Sequence, residues 1–406
     1  MRVDDLQVGD TISGFANATD VRDRPLSLSI ANGVVTADET YAGSPRPDAS
    51  GWAALPPMAD VHAHIDKALT WNEAGRPQGS LEDACACWFR FAPTLTDEQI
   101  VVRAERALRK YIAAGVTALR SHANFGLGKD PLANAKALVY LKNKYKDLID
   151  LQIVALSHDG LPVETVREAI KAGVDLVGGA PHLSEHPVED LNRLLDVAEE
   201  FGVGADMHTD ETLDPGMLTI LDYAKRVRDW DPSLIRSAGH CVSLSVQPLD
   251  KLDDILEVAR EAGITIITNP QTNLFLQGWD HPVATPRGIT PINRIRKHGI
   301  TVAAGGDNMQ DPFNPFGRGD MLEMVSLMVV AGHVDPVDAY LIASEEGRKV
   351  MHLPPASLQT GQTADFVLIK GQTLSGIIAS GGPDRIVVRR GKVIAKTTST
   401  AQILDL

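Results

Sequence analysis

Cysteine is almost absent from this sequence: three residues in 406, two in Cys85-x-Cys87 and the third at Cys241. So sparse and odd a set excludes a disulfide framework and points to a reducing cytoplasm. With no second cysteine pair to complete a metal site, Cys85 and Cys87 read as packing within a helix. Basic residues are also in short supply, 39 against 53 acidic ones, for a formal charge of −14. That balance argues against nucleic acid or an anionic membrane as a partner and leaves a neutral or cationic small molecule admissible. No apolar run approaches the roughly 18–20 residues of a membrane span. The start, Met1-Arg2-Val3-Asp4-Asp5, carries neither the basic nor the apolar part of a signal peptide. What remains is an ordinary globular composition, 44% hydrophobic and 23% charged. The chain is long enough for two or three average domains, or for one barrel with an appendage.

Short β-type runs (Leu26–Ile30, Gly33–Val35) broken by Gly, Pro and Asp occupy residues 10–55. Similar runs return after residue 360, with Arg390-Gly391 placed as a hairpin turn. The two termini, 1–55 and 355–406, are expected to form one small β-sandwich domain. Between them, eight apolar runs alternate with helical patterns: 54–62, 115–122, 150–156, 174–181, 203–210, 235–241, 264–270 and 300–308. The helical patterns include 162–172, 187–201, 247–262 and a first segment that opens on a Thr96/Gln99 capping box. Strands alternating with helices pair in parallel, so residues 56–354 predict an α/β fold, a (β/α)8 barrel of the TIM type. An open doubly wound sheet is the alternative.

The strand ends carry the chemistry. The runs finish in His62/His64, His122, His158, His182, His208, His240, Asn269 and Asp307. In such barrels the C-terminal strand ends converge on one mouth. His62 and His64, two apart on a strand, face the same side. With His208 and Asp307 they offer three imidazole nitrogens and a carboxylate oxygen, a donor set suited to one Zn2+ or Fe2+. Such an ion lowers the pKa of a bound water to about 7. Glu211, three residues after His208, is placed as the proton shuttle. His240 is a second group for orienting the activated water. Taken singly, His122, His158 and His182 read as hydrogen-bonded pocket residues. His186, His281, His298, His333 and His352 read as surface or packing, Asp311 and Asp320 as loop capping residues, and Asp66-Lys67 as a turn beside the site.

These residues together resemble the amidohydrolase superfamily, and more narrowly its cytosine deaminase branch. The resemblance rests on His62-x-His64, on Asp206-Met207-His208-Thr209-Asp210-Glu211, and on Asn269-Pro270 with Asn273-Leu274-Phe275-Leu276-Gln277-Gly278. Gly306-Asp307-Asn308 with Asp311-Pro312-Phe313-Asn314-Pro315 completes it. It implies one divalent ion on His62, His64, His208 and Asp307, with Glu211, His240 and Asp307 moving protons during hydrolytic deamination of cytosine or a related cyclic amidine. His158, Asn308, Phe313, His122, His182 and Lys67 are the expected substrate-binding residues. The chain departs from the cytosine enzymes at His158, where they carry glutamine, at Asn308, where they carry aspartate, and at Lys67, where they carry a small hydroxyl residue. Because s-triazine N-dealkylating hydrolases are also similar, the alternatives are an aminotriazine hydrolase or a cyclic-amide hydrolase; a non-catalytic heterocycle-binding protein is the rival of another class. The expected partners are a small heterocyclic substrate and, in a homo-oligomer, further copies of the chain.

Overall fold

The computed structural model describes residues 1–37 and 46–404. Residues 38–45, inside the first half of the expected β domain, and 405–406 at its end lie outside the described residues. Among the described residues, fifteen strands fall into two sheets. Eight of them form the parallel barrel: β5 (Met58–Ala63), β6 (Val116–Asn124), β7 (Asp150–Ser157), β8 (Leu176–Gly179), β9 (Ala205–Thr209), β10 (Arg236–His240), β11 (Thr265–Thr268) and β12 (Val302–Ala304). They neighbour one another in sequence order, as right-handed crossovers require. The strands are near-continuous buried runs, as expected of a parallel sheet covered on both faces.

The ring closes just past the ends of its first and last strands. Asp307 N donates to His62 O at 2.7 Å, and His64 N donates to Asp307 O at 3.0 Å. The contacts that close the barrel therefore also hold three of the expected ligands in register.

Each predicted run overlaps one barrel strand, with one instructive difference. The run 54–62 is divided: Trp52–Leu55 (β4) joins the terminal sheet, and only Met58 onward enters the barrel. Pro56-Pro57 sits at the division, where two missing N–H donors prevent a continuous ladder. The first crossover helix, Asp97–Ala113, is capped as its sequence predicts: Gln99 N donates to Thr96 Oγ1 at 3.2 Å and Thr96 N to Gln99 Oε1 at 3.0 Å. Its buried stripe of Ile100, Ala104, Ala107, Leu108 and Tyr111 lies on the barrel, and Gly115 ends it at φ +90°.

Both termini build the second sheet. Its seven strands run in the order β15-β14-β13-β4-β1-β2-β3, comprising β1 (Gly14–Thr19), β2 (Pro25–Ala31), β3 (Val34–Thr36), β4, β13 (Phe366–Lys370), β14 (Arg385–Arg389) and β15 (Lys392–Thr397). The sandwich is made by one sheet curling over its own core of Phe15, Leu28, Trp52, Phe366, Ile386 and Val393. The Thr11–Lys392 bridge ties the segment before β1 to the edge strand β15. Asn32-Gly33 and Arg390-Gly391 both have positive φ at the two turn positions, the type I′ geometry that matches strand twist.

Candidate metal centre and active-site cavity

Four side chains form a closed ring of short contacts at the barrel mouth. His208 Nε2 lies 3.2 Å from His62 Nε2 and 3.2 Å from His64 Nε2. Asp307 Oδ1 lies 3.2 Å from His64 Nε2 and 3.8 Å from His62 Nε2. All four residues are buried. The backbone is shaped for this. A Cβ on Gly239 would meet His62 Cε1 at 2.9 Å, and one on Gly305 would meet His62 Cβ at 2.5 Å, so two glycines make the recess that seats this ring. His240 and Asp307 hold φ values of 66° and 58°, left-handed conformations that cost on the order of 1–3 kcal/mol each and persist where surrounding structure enforces them.

Such a cluster fits a divalent cation. Neutral imidazoles whose Nε2 atoms face one another at hydrogen-bond distance cannot all be satisfied by sharing protons, and the facing lone pairs repel. Donor atoms on a tetrahedral ion with bonds of about 2.0–2.1 Å stand roughly 3.3–3.4 Å apart, close to the spacing here. Burial, the largest influence, holds His62 and His208 well below the ordinary histidine range and lowers His64 to about 4, which leaves the rings neutral as ligation requires. Asp307 is lowered too: burial opposes its charge, but the His64 hydrogen bond and His240 outweigh it. Two further triads close within 4.8 Å, His62/His122/His208 and His62/His240/Asp307, so His122 and His240 stand directly beside the ligand set.

Glu211 sits above the ring, its carboxylate 3.2 Å from His240 Nδ1. Asn273 Nδ2 reaches both, at 3.2 Å to Glu211 Oε1 and 3.0 Å to His240 Nδ1. An amide N–H can only donate, so in this arrangement Nδ1 accepts and the His240 proton resides on Nε2, which faces Asp307 Oδ2 at 3.9 Å. Gln277 Nε2 anchors the Glu211 backbone carbonyl at 3.1 Å. Burial raises the Glu211 carboxyl, against the pull of His240. For His240, burial opposes the charge, yet Glu211 and Asp307 outweigh it and raise the imidazole.

A cavity of about 430 Å³ opens over this floor, lined by His64, His208, Glu211, His240 and Asp307. Of the expected substrate-binding residues, Lys67, His158, Asn308 and Phe313 line it, whereas His122 and His182 do not. His122 lies beneath the ligands, 4.1 Å between ring centres from His62, with neither ring nitrogen partnered. His182 braces the strand end, its Nδ1 on the His208 carbonyl at 3.2 Å. His158 donates from Nδ1 to the Asp159 carbonyl at 2.8 Å, which leaves Nε2 unpartnered. Asn308 Nδ2 donates to Asp311 Oδ2 at 2.9 Å, so an aspartate at 308 would face another carboxylate.

Sequence reasoning missed one wall of the cavity. The helix Leu81–Phe91 contributes Leu81, Cys85, Trp88 and Phe89. Its apolar spacing is that of any core-facing helix, so nothing in the sequence separates a cavity face from a packing face. The sequence carries no sign of a role for Asn273, since its bridge between Glu211 and His240 spans three strand ends.

Comparison with known proteins identifies the family. The amidohydrolase family model matches residues 75–394. A pterin deaminase of Rhizobium rhizogenes is 27% identical over 97% of this chain and 93% of its own length. An N-isopropylammelide isopropyl amidohydrolase of a Pseudomonas species is 23% identical over 86% of this chain and 87% of its own. The crystal structure of 5-methylcytosine deaminase from Klebsiella pneumoniae with phosphonocytosine superposes with a TM-score of 0.85 at 25% identity, over 96% of this chain and all of that one. The chain belongs to the amidohydrolase family.

Proposed function

We propose that this amidohydrolase cleaves an exocyclic carbon–nitrogen bond on a small planar nitrogen heterocycle, releasing ammonia. The observation that carries the reading is the Glu211–His240 pair, 3.2 Å apart beside four convergent metal-type donors on a cavity floor. A pure binding site has no use for a buried carboxyl beside an imidazole. The relatives named for deamination of pterin and 5-methylcytosine support the reaction class.

His62, His64 and His208 through Nε2, with Asp307 through Oδ1, would hold the ion, which supplies an activated water and Lewis acidity. Trp88, Phe89 and Phe313 present faces and edges for a flat ring. Glu211, its carboxyl raised by burial, donates a proton to the ring nitrogen adjoining the attacked carbon. His240, with its proton on Nε2, donates to the water and orients it, and Asp307 takes the proton that the water gives up as its oxygen bonds to that carbon. The proton is then delivered to the amino group, the C–N bond breaks as the remaining hydroxyl proton returns to Glu211, and an oxo ring and ammonia remain. The sum is one amidine and one water to one cyclic amide and one ammonia. An N-alkylated amine is the second leaving group to consider, because Leu81, Leu156 and Leu183 give the cavity an apolar side.

The test is release of ammonia or alkylamine by metal-loaded protein across cytosine, 5-methylcytosine, isocytosine, pterin, aminotriazines and cyclic amidines, against a metal-stripped control. Amine from one ring, absent from the control, is the expected result. Glu211→Gln should retain the metal and lose about 10²- to 10⁴-fold in turnover. Ring opening without amine release would replace this reading by cyclic-amide hydrolysis.

A further inference from the structure

Lys67 presents an anomaly that the proposed reaction does not consume. Its side chain is 3% exposed and lines the cavity. Lysine is almost never so buried unless paired. Yet among the described residues no carboxylate lies within 4.0 Å of its ammonium, and no hydrogen-bond acceptor meets it. What does meet it is aromatic: the Phe313 ring centre at 3.8 Å and that of Trp88 at 6.0 Å. A π face steadies a cation without using its three N–H donors. Its hydrogen-bonding capacity is left for something else.

The backbone around Lys67 is fixed from both sides. Asp66 Oδ2 accepts from Asn124 N at 2.8 Å and from Asn134 Nδ2 at 2.7 Å, and Thr70 Oγ1 donates to the Lys67 carbonyl at 2.7 Å. The ammonium is thus pre-positioned, and binding through it costs little further side-chain entropy.

We infer that Lys67 is a specificity-determining residue, and that the ring substrate bears an anionic oxygen group, a carboxylate or an ionised ring hydroxyl, that pairs with its ammonium. This rests on the heterocycle reading above and narrows it. The overall charge of −14 is a property of the whole surface; within the cavity lining Lys67 is the one lysine or arginine among the described residues, and its ammonium has no carboxylate within ion-pair distance.

The experiment uses full-length metal-loaded protein and paired rings with and without the group: 5-carboxycytosine against cytosine, and an aminopteridine with and without a ring carboxylate. Binding is read from tryptophan fluorescence, since Trp88 lines the cavity, and amine release is followed in parallel. The wild type should prefer the anionic member of a pair. Lys67→Met should weaken that member's binding about 10- to 100-fold and leave the neutral member within about threefold, as expected for loss of a charge-assisted hydrogen bond. Lys67→Arg should recover part of the preference. Equal weakening of both members, or a wild type without preference for the anion, overturns the inference and leaves Lys67 a general counter-charge for Glu211, Asp307 and Asp311. If no ring releases amine while the anion preference is present and lost in Lys67→Met, the reaction reading fails and the binding role stands.

Discussion

Arg385 on the terminal sheet and His208 at the barrel mouth are buried alike, at 4% and 7% exposure, and their surroundings could hardly differ more. Arg385 Nε donates to the Gly382 carbonyl. Nη1 donates to the Ala114 carbonyl and to Asp320 Oδ1 at 2.9 Å, and Nη2 to Asp320 Oδ2 at 2.7 Å and the Gly381 carbonyl. Every donor is used, and the fork clamps the sheet to the barrel. At the mouth, His62 Nδ1, His64 Nδ1, His208 Nδ1, His240 Nε2 and Asp307 Oδ2 are all buried without a partner. Buried polar atoms in folded proteins are normally satisfied. Of these exceptions at the mouth, His240 Nε2 and Asp307 Oδ2 face the convergent Nε2 atoms and are polar capacity held for a ligand. The comparison also separates the costs: the clamp contributes stability, and the mouth gives some up.

The sharpest way to break that contrast is to remove a mouth imidazole. His208→Leu should drop metal content from about one ion per chain to near zero and amine release to that of stripped protein, measured by elemental analysis and turnover. Because the metal-free cluster contains facing lone pairs, the metal-free variant should be at least as stable as metal-free wild type, by on the order of 1 kcal/mol in its favour. A metal-free His208→Leu protein much less stable than its parent would mean that the cluster is structural cement.

The complementary cut is Arg385→Ala. Removing one partner of a buried ion pair strands the other and costs about 3–5 kcal/mol, readable as a lower urea midpoint. Protein that remains folded should keep its metal and its turnover per folded chain, since no contact of Arg385 reaches the mouth. Loss of metal from folded Arg385→Ala would show that the sheet tunes the site, and the two regions would no longer be independent.

The uneven legibility of the sequence has the same origin. Barrel strands, their order and the gathering of His62, His64, His208, His240 and Asp307 follow from local periodicity and strand-end position, both short-range properties. The capping box at Thr96 and the hairpin at Arg390-Gly391 were legible for the same reason. Contacts that depend on where distant segments land were not. Lys67, after the first barrel strand, meets Phe313, after the last, where the ring closes; Asn273 reaches two other strand ends, and the helix Leu81–Phe91 lines the mouth. His122 and His182 show the limit from the other side. Each ends a strand-like run as the pocket residues do, but a ring one layer lower packs under the ligands, and a residue one turn beyond its strand bonds to a carbonyl.

Asn273 gives the finest test, because it belongs to both halves of the comparison: its Nδ2 is fully used and its Oδ1 is buried without a partner. The amide keeps Glu211 Oε1 and His240 Nδ1 as acceptors, which fixes the His240 proton on Nε2 over Asp307. Without it, His240 Nδ1 can take the proton and donate to Glu211, 3.2 Å away, and the ring turns its lone pair toward Asp307. That tautomer cannot donate across the site. Asn273→Ala should therefore lower turnover about 10- to 100-fold, the usual effect of removing a group that orients a metal-site residue, with metal content unchanged. Metal loss in Asn273→Ala would assign the amide to the framework, alongside Arg385. Unchanged turnover would mean that the His240 tautomer is set elsewhere. A fall confined to kcat, with KM and metal content held, places Asn273 with the mouth: a satisfied side chain whose hydrogen bonds serve proton transfer.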